Sequence, residues 1–149
     1  MINSSEILHR FLPLSLRSIE DAGDILQYLI PWAALLFVAL QGDRASAWAW
    51  LYAGSITTAA THLLKLVFNL TPWGRRPNGA GESFPSGHTA SAFMGAGFFH
   101  FHLGWVWAIL PYLLAGFTAY SRVQAGKHWP RDVVGGAFLA IVIAIIFRP

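Results

Sequence analysis

Apolar residues gather into five runs along the chain, and their lengths and flanks suit helices rather than strands. The runs cover residues 25–40, 45–70, 89–103, 105–120 and 133–147. A bilayer core of ~30 Å calls for about 20 helical residues, so the third and fourth are short spans, parted at His100-Phe101-His102-Leu103-Gly104. Ahead of them, Ile7, Leu8, Phe11, Leu12, Leu14 and Ile19 interleave with Glu6, His9, Arg10 and Arg17. That alternation predicts an amphipathic helix over residues 4–20 lying in a membrane interface, with a kink at Pro13. The pattern as a whole predicts an all-α polytopic transmembrane bundle of about five spans plus this interfacial helix. Gly54-Ser55, Gly95-Ala96-Gly97, Ala115-Gly116 and Gly135-Gly136-Ala137 provide the small surfaces that let helices approach closely in lipid.

Composition agrees with a membrane environment. Hydrophobic residues make up 55% of the 149 residues and charged residues 11%, against about 25% charged for a soluble domain; mean hydropathy is +0.49. The length predicts a single domain over 1–149, with 1–24 as its amphipathic segment and 25–149 as its membrane core. Cysteine is absent, which excludes a disulfide framework and a thiolate metal site. Residues 1–24 carry charges throughout and lack a signal peptide's apolar centre and cleavage site, so the first span is expected to direct insertion. The net charge of +3 calls for an acidic partner. Most Lys and Arg sit in or beside loops, with no basic helix or aromatic RNA-binding motif, which favours anionic lipid headgroups over nucleic acid.

Two loops carry the candidate chemistry. One reads Phe84-Pro85-Ser86-Gly87-His88-Thr89; the other reads Ser121-Arg122, then Lys127-His128-Trp129-Pro130-Arg131-Asp132. Each sets a histidine among groups suited to an oxyanion. Both must lie on one membrane face to form one site, so the chain between them must cross an even number of times. A hairpin of the third and fourth runs meets that condition. Pro130 suits the first turn of the last helix, which sets His128 just before that helix and Asp132 within its first turn. From there Asp132 can reach one imidazole nitrogen and fix the tautomer that frees the other. Ser86 and Gly87 fall at the start of the third helix, where free N–H groups and the helix dipole favour an anion.

These blocks resemble the type 2 phosphatidic acid phosphatase (PAP2) superfamily. The family's Ser-Arg-x5-His-x3-Asp motif is matched from Ser121 to Asp132 and its Pro-Ser-Gly-His motif from Pro85 to His88. Its Lys-x6-Arg-Pro motif is matched loosely by Lys65 and Arg76-Pro77, with ten residues between Lys and Arg where the family has six. The resemblance implies a lipid phosphatase in which His128 is the nucleophile, His88 the general acid and Asp132 the partner of His128. It places Lys65, Arg76, Ser86, Gly87 and Arg122 on the phosphoryl oxygens, with Arg76 preferred to Arg75 because it directly precedes the proline. No cofactor or metal is expected. With the two histidines assigned, no His/Asp/Glu set keeps metal-ligand spacing, and cationic side chains suffice to stabilise the transition state. His62 shares a helix face with Lys65, while His100 and His102 fall at the far end of the hairpin.

The expected partners are a lipid phosphate and the surrounding membrane lipids. The reaction is hydrolysis of a monoester or diphosphate on the headgroup through a phosphohistidine; the alternatives are a lipid phosphotransferase with the same intermediate and a non-catalytic anionic-lipid-binding protein. Positive-inside reasoning would set the motif face in the cytoplasm, since Arg75, Arg76, Arg122, Lys127 and Arg131 lie there. Several of these arginines are site residues and so weak guides to topology. The resemblance implies a bacterial inner membrane with the site facing the periplasm.

Overall fold

A computed structural model describes residues 4–148, with side chains from Arg17 onward. Among them run five α-helices and no strand: α1 (Ser4–Leu40), α2 (Arg44–Phe68), α3 (Gly87–Leu103), α4 (Trp105–Gln124) and α5 (Pro130–Ile146), with a short 3-10 turn at Pro72–Gly74. The turn chemistry explains the boundaries. The Asp43 carboxylate accepts the Ser46 N–H at 3.0 Å and caps α2. Ser86 caps α3, its Oγ accepting the Thr89 N–H at 3.4 Å. Gly104 takes φ 88°, a conformation glycine adopts freely, and so ends α3 and opens α4. The expected hairpin is therefore present, and Pro130 stands at the start of α5 as its ring geometry favours.

One expectation fails. Residues 4–40 form a single helix rather than an interfacial helix followed by a span, and the backbone is helical through Pro13. Within that helix Glu20 and Asp24 are paired with Lys127, in the loop after α4, and with Arg122 of α4. The amphipathic pattern of residues 4–20 rests mainly on side chains before Arg17, which lie outside the described residues. Among the described residues, only Arg17–Leu40 is long and apolar enough to cross a membrane on those two criteria. At 17 residues each, α3 and α5 are about 25 Å long.

Helix α3 lies at the centre and packs on the other four. Its inward face mixes alanines with Met94 and Phe98, and most of their partners are small: Ala90, Met94 and Phe98 meet Ala34, Ala53 and Ala140, while Ala92 and Ala96 meet Ala115 and Ile30. Glycines set the separations. A Cβ on Gly95 would lie 2.6 Å from the Pro31 backbone of α1, and one on Gly97 would lie 2.8 Å from Ala144 of α5. A Cβ on Gly136 would lie 2.4 Å from the Ser86 carbonyl oxygen, so α5 touches the start of α3. The bundle is apolar outside and partly polar within. Leu36, Leu63, Leu66, Trp107, Leu113 and Phe138 face outward, whereas Thr57, Thr61, Thr89, Thr118, Ser121 and Arg122 are buried.

Substituting Gly136→Ala should push α5 off the start of α3 and cost about 1–3 kcal/mol, lowering the thermal midpoint of the purified protein. Gly116 has nothing within 4 Å among the described residues. Gly116→Ala should therefore be neutral or stabilising, by up to about 1 kcal/mol from helix propensity.

Candidate active site

Helix starts and ends bring the two motif loops together at one end of the bundle. After α4, the N–H groups of Lys127 and His128 both point back to the Arg122 carbonyl, at 3.0 and 3.3 Å. This turn returns the chain and sets His128 at the head of α5. Asp132 then joins the loops. Its carboxylate accepts the Trp129 N–H at 2.8 Å and the Ser83 hydroxyl at 2.5 Å, while its backbone carbonyl accepts the Ser86 N–H at 2.9 Å. Asp132, Ser83 and Ser86 are all fully buried.

His88 and His128 line one cavity of about 760 Å³. Lys65, Arg76, Glu82 and Gly87 line the same charged end, and Tyr28, Pro31, Trp32, Trp50, Leu51 and Met94 line an apolar extension between α1, α2 and α3. Lys65 and Arg76 meet despite their unusual spacing. The turn at Pro72–Gly74 takes up the additional residues, and both side chains approach the Glu82 carbonyl oxygen, Lys65 through Nζ and Arg76 through Nη2 at 3.4 Å. Glu82 is held for this by its own N–H, which donates to Asn69 Oδ1 at 2.9 Å. Arg75 does not line the cavity, and its backbone carbonyl accepts the Trp129 indole N–H at 2.9 Å. His62 lines the cavity near Lys65. His100 contacts the Tyr112 hydroxyl at 3.2 Å, in the part of the hairpin away from the motif loops.

Other expected contacts differ in detail. Asp132 Oδ2 lies 3.5 Å from His128 Nδ1, farther than its bonds to Ser83 and Trp129. His128 Nδ1, Asp132 Oδ1 and Arg76 Nε are buried and have no hydrogen-bond partner among the described residues. Ser86 Oγ is directed to Thr89, whose hydroxyl donates to it at 3.0 Å. Arg122 is fully buried and does not line the cavity wall. Its Nε donates to Ser121 Oγ at 3.1 Å, its Nη1 to Asp24 Oδ1 at 2.5 Å and its Nη2 to the Glu20 carbonyl at 2.6 Å. Asp24 Oδ1 also bonds His88 Nε2 at 2.9 Å, and Lys127 pairs with the Glu20 carboxylate.

Ser83, Glu20 and Asp24 thus belong to the site and were absent from the residues expected. Ser83 had no signal beyond its place just before the Pro-Ser-Gly-His block. Glu20 and Asp24 did have one: two carboxylates four residues apart share a helix face. Burial, followed by the charges of Lys65 and Arg76, pushes the His128 imidazole down to about 3. At neutral pH it is uncharged and keeps a lone pair.

A family profile described as the PAP2 superfamily matches residues 46–149, and the chain belongs to that superfamily. Among curated relatives, the lipid A 1-phosphatase of Porphyromonas gingivalis is 42% identical over 73 residues, covering 46% of this chain but only 16% of that protein. The undecaprenyl-diphosphatase BcrC of Bacillus subtilis is 32% identical over 139 residues, 83% of this chain and 69% of that one. The crystal structure of Aquifex aeolicus LpxE superimposes with a TM-score of 0.75 at 25% identity, covering 91% of this chain and 86% of that one. The family expected from the motifs is therefore the family found, and the relatives named here include phosphatases of lipid A and of undecaprenyl diphosphate.

Histidine-selective NMR on ¹⁵N-labelled protein checks the state of His128. Its signal, assigned by loss in His128→Asn, should report a neutral ring from pH 8 to pH 5 and shift only as pH falls toward about 3. A midpoint near the ordinary histidine value would show that the cavity does not depress it.

Proposed function

We propose that the chain is an integral membrane lipid phosphatase that removes a headgroup phosphate through a phosphohistidine on His128, without a metal ion. The observation that carries this reading is the shared cavity: a neutral His128, His88 and the cations Lys65 and Arg76 face one space. Arg76, which lines that space, has no carboxylate paired with it among the described residues, so its charge favours an anion there. The lipid part of the substrate is supported by the apolar extension lined by Tyr28, Trp32, Trp50 and Met94.

In the first step a ring nitrogen of His128 attacks phosphorus. Its Nδ1 faces Asp132, which leaves Nε2 as the attacking atom. The bond from phosphorus to the lipid oxygen breaks, and that oxygen takes its electron pair and a proton from His88. Lys65 and Arg76 neutralise the phosphoryl oxygens as charge shifts, and the Gly87 backbone at the start of α3 supplies a further anion seat. Ser86 contributes by capping that helix, and Arg122 acts from behind the cavity wall. In the second step water attacks phosphorus, gives a proton to the now neutral His88, and releases inorganic phosphate with His128 restored.

The same proposal extends to the membrane. An outward face of Leu, Trp and Phe around a core of Thr, Ser, Gly and Ala is the arrangement lipid favours, because lipid solvates the outer side chains while small and polar residues bring helices together. On this reading residues 1–149 act as one unit, α1 to α5 cross the bilayer, and the site lies at the periplasmic face of a bacterial inner membrane. Short α3 and α5 would then require local thinning of the bilayer or snorkelling at their ends.

Detergent-purified protein should release inorganic phosphate from a lipid phosphate, retain activity in EDTA and be inhibited by vanadate. A panel of phosphatidic acid, phosphatidylglycerol phosphate, polyprenyl diphosphate and lipid A ranks the headgroups. His128→Ala should fall to about 10⁻³ of wild-type activity or below, and His88→Ala by about 10²–10⁴-fold. Labelled phosphate that passes to a second lipid instead of water would identify a phosphotransferase. Vesicle binding without turnover of any panel member would identify a lipid-binding protein, and full activity in His128→Ala would exclude the nucleophile.

A further inference from the structure

We propose that Asp24 of α1 is a positioning residue for the acid step, holding His88 in place by a carboxylate shared with Arg122. The inference rests on the phosphatase reading above and adds to it a residue outside the matched family segment, which begins at residue 46.

The geometry is specific. Asp24 Oδ1 lies 2.9 Å from His88 Nε2 and 2.5 Å from Arg122 Nη1, so one oxygen ties α1 to both α3 and α4. The approach is built into the backbone. A Cβ on Gly23 would lie 1.9 Å from Ser121 Oγ and 2.9 Å from Arg122 Nη2, so only glycine lets α1 come this close. Arg122 is fully buried, and its other contacts, to Ser121 and to the Glu20 carbonyl, fix its guanidinium from two further sides. Lys127 pairs with Glu20 one helical turn from Asp24 and secures the same stretch of α1.

A general acid must deliver its proton along one direction at the moment the leaving bond breaks. His88 stands in the first turn of α3, where side-chain rotation alone would not fix its ring. Asp24 accepts a hydrogen bond from Nε2–H and leaves Nδ1 as the nitrogen able to serve the lipid oxygen. Its negative charge also supports the imidazolium that must exist before the proton is given. Arg122 in turn keeps the Asp24 carboxylate aimed. An amide of equal size keeps an oxygen to accept from Arg122, and the thermal midpoint of Asp24→Asn, measured beside its activity, separates a loss of fold from a loss of function.

The test compares two leaving groups in the full-length protein. A lipid phosphate releases an alkoxide that needs a proton, whereas 4-nitrophenyl phosphate releases a stable phenolate that does not. Asp24→Asn should lower kcat/KM, which reports transfer to His128 and not the later attack of water, by about tenfold or more on the lipid phosphate and by less than about threefold on 4-nitrophenyl phosphate. His88→Ala should show the same selectivity more strongly, and the double variant should be no slower than His88→Ala alone, since both changes remove one function. Equal losses on both substrates would reduce Asp24 to a structural tether and overturn the proposal. An unchanged lipid rate would overturn it too, as would tighter vanadate binding with faster turnover, which would make Asp24 an occupant of the phosphate seat. A wild-type protein that turns over neither substrate would instead remove the phosphatase reading, and this inference with it.

Discussion

Asp132 holds the two motif loops in one place. It is buried completely, and three groups converge on it: the Ser83 hydroxyl and Trp129 N–H on its carboxylate, and the Ser86 N–H on its carbonyl. A buried carboxylate is costly unless hydrogen-bonded, so these donors and the acid require each other. The contact has a steric condition as well. Ser86 reaches α5 only because Gly136 carries no side chain, and the Phe84 ring sits where a Cβ on Gly135 would be. Chemistry and packing are thus inseparable at the head of α5: the same few residues cap the helix, close the loop and set His128 beside the cavity.

Charge imposes the second condition. Lys65, Arg76, Arg122 and Lys127 all sit toward one end of a bundle whose outer surface is apolar. Two are answered by α1, through Asp24 and Glu20; the other two approach a backbone carbonyl at Glu82 and keep unspent positive charge facing the cavity. The division is physically useful. Cations paired directly with a carboxylate position elements, and cations that touch a carbonyl, with the Glu82 and Asp132 carboxylates acting on Lys65 only through space, attract an anion. It also explains why His128 is so poor a base here: burial and these neighbouring charges both disfavour a further proton.

Helix α1 gains a different meaning from this arrangement. Its outer residues, such as Leu29 and Leu36, are exposed and apolar, while the turn from Glu20 to Asp24 reaches Lys127, Arg122 and His88. It therefore walls the cavity with Tyr28, Pro31 and Trp32 and supplies charge at the site's edge. Small residues at Gly23 and Gly95 permit both approaches, which is how a helix remote in sequence comes to share a site with loops sixty or more residues away.

Periodicity, turn residues and spacing by themselves determined the helical class, the break at Gly104, the start of α5 at Pro130 and the two histidine loops, because each follows from local sterics, capping and apolar repeats. The resemblance to the family's Lys-x6-Arg-Pro motif likewise implied Lys65 and Arg76 as a pair, although ten residues separate them here. Only the tertiary structure decided that residues 4–40 form one helix, that Arg122 is bound by α1 behind the cavity, and that Ser83 and Asp24 belong to the site. Those facts depend on which charges meet across helices distant in the chain. A carboxylate in a sequence looks the same whether it faces solvent or a buried guanidinium, and close packing through glycines makes that choice.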